Sequence, residues 1–216
     1  MIIYLTGIDG SGKSTVIEKI KTDIFSNENI NVIWARYESK IMKFIVQPFK
    51  KVKTNGSTNF NDMNEIQYNS WHSFKSKITK NKWLSNILFL IQYLEFSHKI
   101  NKVFKEINET HVSTIVDRFI LDFIVDQSVN HNLDENNWIV KRLLLKLAEF
   151  DQIIYLDVDE EVAFKRKNDI PSIQYLTSRR SYYKKYISLL KNATLINNNN
   201  SLDNTILQIK KILQQV

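Results

Sequence analysis

Gly7-Ile8-Asp9-Gly10-Ser11-Gly12-Lys13-Ser14-Thr15 is the stretch that decides how this chain folds. It fits the phosphate-binding loop pattern G-x-x-x-x-G-K-[ST]. The run before it, Met1-Ile2-Ile3-Tyr4-Leu5-Thr6, is apolar and reads as a buried strand. Val16-Ile17-Glu18-Lys19-Ile20 follows with apolar positions at helical spacing. Strand, glycine loop and helix are the context that gives the motif its meaning. The chain has only four glycines, and Gly7, Gly10 and Gly12 are three of them. Glycine admits positive φ and lets backbone amides approach a ligand with no Cβ in the way. The loop from Gly7 to Thr15 and the helix N-terminus are therefore expected to cradle anionic phosphates. In this motif Lys13 reaches the β- and γ-phosphates of a nucleotide such as ATP, and the Ser14 hydroxyl ligates Mg²⁺.

The bulk properties agree with one α/β domain spanning residues 1–216. A hydrophobic fraction of 43% is ordinary for a folded protein. No cysteine is present, which excludes disulfides and thiolate metal sites. The N-terminus enters a strand directly, without a basic region or a signal-peptide cleavage pattern. The longest apolar candidate, around Trp83–Tyr93, contains Asn86 and Gln92 and falls short of a membrane span. A cytoplasmic protein with no membrane partner is expected. The net charge of +7 suits nucleic acid, a membrane surface or a phosphorylated small molecule. Nucleic acid has only that charge in its favour. A small-molecule substrate is the partner to expect.

Further along, the apolar runs Ile30–Ala35, Val112–Val116, Gln152–Val158 and Ala193–Ile196 read as strands two to five. Helices are predicted from Lys13 to about Phe25, over Trp83–Ile107, over Asn137–Phe150, after Asp159, over Ser172–Leu190 and over Leu202–Leu213. Strands separated by helices imply a parallel sheet covered on both faces. Ligands bind at the carboxyl ends of such strands. Arg36, directly after strand two, is thus a substrate-site candidate, or else a solvated arginine. Asp117, after strand three, stands where an acidic residue would hold Mg²⁺, and Arg118 would point at phosphate from the same edge. Asp122 and Asp126 lie one helical turn apart and either support the site or are solvated. Residues 38–80 carry a basic patch and a polar loop, read as a substrate-side insertion. Asn197–Asn200 reads as a plain turn.

These residues together resemble the thymidylate kinase family of P-loop nucleoside monophosphate kinases. The acidic third position of the phosphate loop, Asp117-Arg118-Phe119, the strand Ile154–Val158 with Ala163 and Arg166 beyond it, and Arg179-Arg180-Ser181-Tyr182-Tyr183 carry the likeness. The fold implied is the P-loop NTPase three-layer sandwich, with a five-stranded parallel sheet in the order 2-3-1-4-5. The activity implied is ATP-dependent phosphoryl transfer to a nucleoside monophosphate, with dTMP as first guess, Mg²⁺ as cofactor and a possible homodimer as the assembly.

Residue roles follow from the same resemblance. Asp9 would accept a hydrogen bond from the acceptor's sugar hydroxyl, and Arg118 would bind the acceptor phosphate. Arg166, in a lid over 165–180, would stabilise the transferring phosphoryl group. Phe89 would stack on the acceptor base, with Tyr93 where the family carries an arginine. On helical spacing alone, Phe89 and Tyr93 fit a core equally well. Tyr93 brings neither charge nor a two-pronged donor, so looser discrimination among bases is expected. Strand two ends Trp34-Ala35-Arg36-Tyr37-Glu38, of which only the arginine matches the family's turn. A kinase of another small phosphoryl acceptor and a non-catalytic ATP-binding module remain alternatives.

Overall fold

The computed structural model describes residues 1–26, 28–41, 70, 73, 81–167, 169–199 and 201–215. The elements in chain order are β1 (Ile2–Thr6), α1 (Lys13–Lys19), β2 (Ile30–Trp34), α2 (Lys82–Thr110), β3 (Ser113–Asp117), α3 (Ile120–His131), α4 (Trp138–Lys146), β4 (Gln152–Asp157), α5 (Glu160–Arg166), α6 (Ile173–Ile187), β5 (Ala193–Asn197) and α7 (Leu202–Leu213). Five parallel strands pair in the order β2-β3-β1-β4-β5, as the sequence predicts. The predicted insertion falls mostly outside the described residues, which retain only 38–41, 70 and 73 of it.

Alternation along each strand divides the core into two layers. Ile3 and Leu5 of β1 pack with Val16 and Ile17 of α1, with Ile20 just beyond it, and with Ile206 and Ile209 of α7. Tyr4 points the other way, into the cluster containing Phe96, Phe119, Phe150 and Tyr183. Every residue of β4 is buried, which is why that strand reads as one continuous apolar run. Each fully buried large apolar side chain contributes about 1.5–3 kcal/mol relative to exposure.

The first helix departs from the expected single span to Phe25. It widens after Lys19 into a π-helical turn over Ile20–Ile24. The Phe25 N–H reaches the Ile20 carbonyl at 3.1 Å. The wider turn leaves both Ile20 and Phe25 in one apolar cluster. α3 is a helix for which the sequence gives no span, and the other helices fit their predicted spans to within a few residues at each end. Asn81, Asn137 and Ser172 cap α2, α4 and α6 by accepting backbone N–H bonds. Asp159 occupies the N-cap of α5, but its side chain caps nothing there. Its carboxylate accepts from Arg180 Nη2 at 2.8 Å instead.

The start of α3 has an unusual cap. The Tyr4 hydroxyl oxygen accepts the N–H groups of Phe119, Leu121 and Asp122 at 3.1, 3.0 and 3.2 Å. It donates its own proton to Asp122 at 2.6 Å. A residue in the central strand thereby satisfies orphan donors of the neighbouring helix. It ties the end of β3 to β1, on which the phosphate loop is mounted.

Candidate functional site

β1 is central, with β3 on one side and β4 on the other. Connections leave in opposite directions at this switch point, so a crevice opens at the strands' carboxyl ends. The phosphate loop sits there. Gly10 and Gly12 have φ of 79° and 84°, a left-handed conformation that L side chains rarely adopt. A Cβ on Gly10 would lie 2.3 Å from the Ala163 carbonyl oxygen. Glycine at this position thus permits contact between the loop and α5.

Lys13 is 5% exposed. Its ammonium donates to the carbonyls of Gly7 and Ile8 at 2.7 and 2.8 Å and to Ser11 Oγ at 3.0 Å. Burial, followed by the charge of Arg118, pushes its pKa down to about 7, against the pull of Asp122, Asp9 and Asp117. Ser14 and Thr15 are exposed in the first turn of α1.

Asp9 and Arg118, far apart in sequence, meet. Arg118 Nη2 donates to Asp9 Oδ1 at 2.7 Å. Arg118 occupies the left-handed region at φ 57°, strained for a residue with a Cβ and typical of side chains held for a task. Asp122 anchors the same turn. Its carboxylate accepts from Tyr4, Thr6 and Tyr183 hydroxyls at 2.6, 3.0 and 2.7 Å and from the Phe119 N–H at 3.0 Å. Of the two roles left open for Asp122, support of the site is the one observed.

A cavity opens beside this turn. Gly7, Ile8, Asp9, Arg36 and Arg118 line it, with Phe123, Asp126, Tyr175 and Arg179. Arg36, the candidate named from its place after strand two, is thus on the cavity wall. Glu95 on α2 pins the segment after β2 by accepting from Tyr37, Ser39 and the Lys40 N–H at 2.9, 2.6 and 2.7 Å. Tyr175 and Arg179 reach the cavity from α6. The Tyr175 hydroxyl donates to Asp9 at 3.2 Å. Arg179 stacks 3.6 Å over the Tyr175 ring and donates from Nε to Asp126 at 3.0 Å. The sequence signal for Asp126 is its helical spacing from Asp122, and that for Arg179 is its place in a segment that carries the family resemblance; Tyr175 has none.

Phe89 and Tyr93 do not line this cavity, a correction to their predicted base-binding role. Phe89 is 2% exposed and lies between Phe123 and His131 in the aromatic core. Tyr93 packs edge-on against Trp138 of α4. The aromatic residues that line the cavity are Tyr37, Phe123, Tyr175 and Tyr183. Arg166 is also placed differently from expectation. Both of its terminal nitrogens donate to the Asn198 carbonyl at 3.2 Å, on the β5 side of the loop.

Asp117 ends β3, and its Oδ1 is buried with no hydrogen-bond partner among the described residues. Burial raises its pKa, against Lys13 and Arg118. An unsatisfied buried carboxylate oxygen beside a loop with an exposed serine hydroxyl is a donor set suited to a hard cation such as Mg²⁺. No cluster of three or more metal-ligating side chains occurs among the described residues.

The Asp9 carboxyl is pushed up by burial, but Arg118, Lys13, Arg36 and Lys167 outweigh this and hold it well below the usual carboxylate range. A group whose folded pKa is depressed stabilises the fold above its unfolded pKa of about 3.9 and loses that contribution as pH falls further. Chemical denaturation measured from about pH 6 down to about pH 3 should therefore show stability falling with acid, and Asp9→Asn should flatten that fall. Identical acid slopes in the two proteins would mean that the Asp9–Arg118 pair does not form in solution.

No family model matches the chain. It is 28% identical over 199 residues to a protein named probable thymidylate kinase from Methanosphaera stadtmanae, covering 91% of this chain and 88% of that one. The resemblance read from four motifs thus extends along nearly the whole chain. Among solved structures it is similar to deoxyadenosine kinase from M. mycoides with products dCMP and dCDP bound, at a TM-score of 0.55 and 16% identity over the full length of both chains. The same enzyme with bound dCTP aligns at a TM-score of 0.54 and 17% identity, over all of both chains. Its dATP complex gives 0.52 and 15%, over 99% of this chain and all of that one. The fold is that of a P-loop kinase.

Proposed function

We propose that the chain is an ATP-dependent kinase that transfers a phosphoryl group to a nucleoside monophosphate, with dTMP as acceptor and dTDP and ADP as products. One observation carries the reading. A phosphate loop with its lysine in place opens onto a cavity where Asp9, Arg36 and Arg118 converge. Two arginines suit an acceptor that is itself anionic, and an arginine fork matches phosphate in two-pronged geometry. The whole-chain similarity to a probable thymidylate kinase supports the choice of dTMP.

The residues then take these roles. The loop amides and Lys13 bind the phosphates of ATP. Arg118 and Arg36 bind the acceptor phosphate. Asp9, with acceptor capacity beyond its bond to Arg118, takes the sugar hydroxyl. Asp126 and Arg179 offer the base polar groups. Asp117 and the Ser14 hydroxyl would hold Mg²⁺, which when bound neutralises charge on the β- and γ-phosphates. The reaction needs alignment and charge neutralisation, with no covalent protein intermediate. In this reading the chain is a cytoplasmic kinase in which residues 165–180 form the lid.

The test is ATP consumption, with product identification, against dTMP, dUMP, dCMP, UMP and dGMP. The highest kcat/KM is expected for dTMP. Equal or better turnover of another monophosphate would keep the reaction class and replace the acceptor. ATP binding without turnover of any of them would overturn the kinase reading in favour of a non-nucleotide acceptor or a binding module.

A further inference from the structure

Asn198 lies in a run of asparagines that looks like a solvated turn. Its side chain is instead buried at 5% exposure against the phosphate loop. The side-chain amide donates to the Ser11 carbonyl at 2.6 Å. Its Oδ1 accepts the Thr205 hydroxyl of α7 at 2.6 Å, which fixes which end of the amide faces the loop. Its backbone N–H donates to the Asp157 carbonyl at 2.7 Å, extending the ladder from β5 to β4. Its carbonyl accepts both Arg166 nitrogens. Every polar atom of the residue is engaged. A Cβ on Gly12 would come within 2.9 Å of the Asn198 amide nitrogen, so a side chain at that position would crowd the amide.

The consequence follows from peptide geometry. In a trans peptide the C=O and N–H point in opposite directions. Holding the Ser11 carbonyl toward Asn198 turns the Gly12 N–H to the opposite side of the loop, the side on which this motif receives phosphate. Preorganised donors bind an anion without the cost of ordering them at the moment of binding. Asn198 does not line the cavity that holds Arg36 and Arg118, so its influence falls on one nucleotide and spares the other.

We propose that Asn198, oriented by Thr205 and braced by Arg166, is a positioning residue that sets the phosphate loop for the phosphate donor. This builds on the kinase reading, but its test does not require turnover. Titration calorimetry with MgATP should give an Asn198→Ala protein about tenfold weaker binding than the unaltered chain, the size of one lost buried hydrogen bond. Thr205→Val, which keeps the side chain's volume, should weaken binding about threefold. In the Asn198→Ala background it should add nothing, because its effect passes through Asn198. In steady state the KM for ATP should rise while the KM for dTMP stays unchanged, a split that general loosening would not produce.

Unchanged MgATP affinity in folded Asn198→Ala protein would overturn the inference, as would equal weakening of ATP and dTMP. Should Asn198→Ala fail to fold, Thr205→Val decides, and its binding like the unaltered chain would overturn the inference. An unaltered chain that binds MgATP but turns over no acceptor would remove the kinase reading and leave the calorimetric test standing. An unaltered chain that binds no MgATP would overturn both.

Discussion

Lys13→Ala should leave a folded protein whose turnover is lower by at least about two orders of magnitude. The lysine is the buried cation of the phosphate loop, held by three oxygen acceptors within the loop itself. In phosphoryl transfer the protein's contribution is alignment and neutralisation of charge on the moving group. An ammonium preorganised in a site that excludes water acts through a low dielectric, where it is worth far more than in solution. Alanine supplies no charge at that point. The fold should survive, because a buried ammonium is costly and its removal takes that cost away.

Stability measurements offer a second check on the same variant. Burial holds Lys13 near a pKa of about 7 in the fold. Between that value and the unfolded value of about 10.4, the unfolded chain binds more protons, so stability should rise with pH across this window. The rise should be smaller in Lys13→Ala. Undiminished phosphoryl transfer by the folded variant would refute the assignment of Lys13.

Arg118 is expected to give the next largest effect. Arg118→Ala should raise the KM of the phosphorylated acceptor by about one to two orders of magnitude, the worth of a charge-assisted hydrogen bond. It should leave the affinity for ATP nearly unchanged. The guanidinium is held between Asp9, at 2.7 Å, and Asp122, at 3.9 Å, and lies on the cavity wall. Burial opposes its charge, but Asp9 and Asp122 raise its pKa further above an already high value, so it stays cationic at any working pH. Arg118→Lys keeps the charge and loses the planar fork, so it should recover only part of the loss. Its effect should also include weakened stability, because Asp9 and Asp122 lose part of their pairing. A variant with normal acceptor binding and weakened ATP binding would mean that the two phosphate sites have been assigned the wrong way round.

Much of the architecture was legible from local chemistry alone. The glycine loop between an apolar run and a helical one determined a P-loop fold, because motif, strand and helix are contiguous in the chain. Parallel strands buried on both faces leave continuous apolar runs, so β1, β3 and β4 announced themselves without neighbours. Arg36 and Asp117 could be placed by the same logic, since strand carboxyl ends gather ligands in any open α/β sheet. Asp9 and Arg118 were named individually from motif positions, but their 2.7 Å pair joins two strands and became visible only in the folded chain.

Tertiary structure decided the rest. Phe89 and Tyr93 have the spacing of a shared face, which α2 would present equally well to a cavity or to a core. The packing of α3 against α2 puts Phe89 in the core, stacked on Phe123. Arg179 met Asp126 only because α6 docks beside α3. The asparagine run after β5 carried no periodicity and no motif. A short polar side chain in such a run is ordinary surface until the fold buries it, and burial obliges each of its polar atoms to find a partner. For Asn198 those partners are the Ser11 carbonyl and the Thr205 hydroxyl, brought together by β5, the phosphate loop and α7. Local periodicity and motif spacing are written along the chain, whereas a hydrogen bond between residues 11 and 198 exists only once the sheet has placed β5 and the phosphate loop side by side.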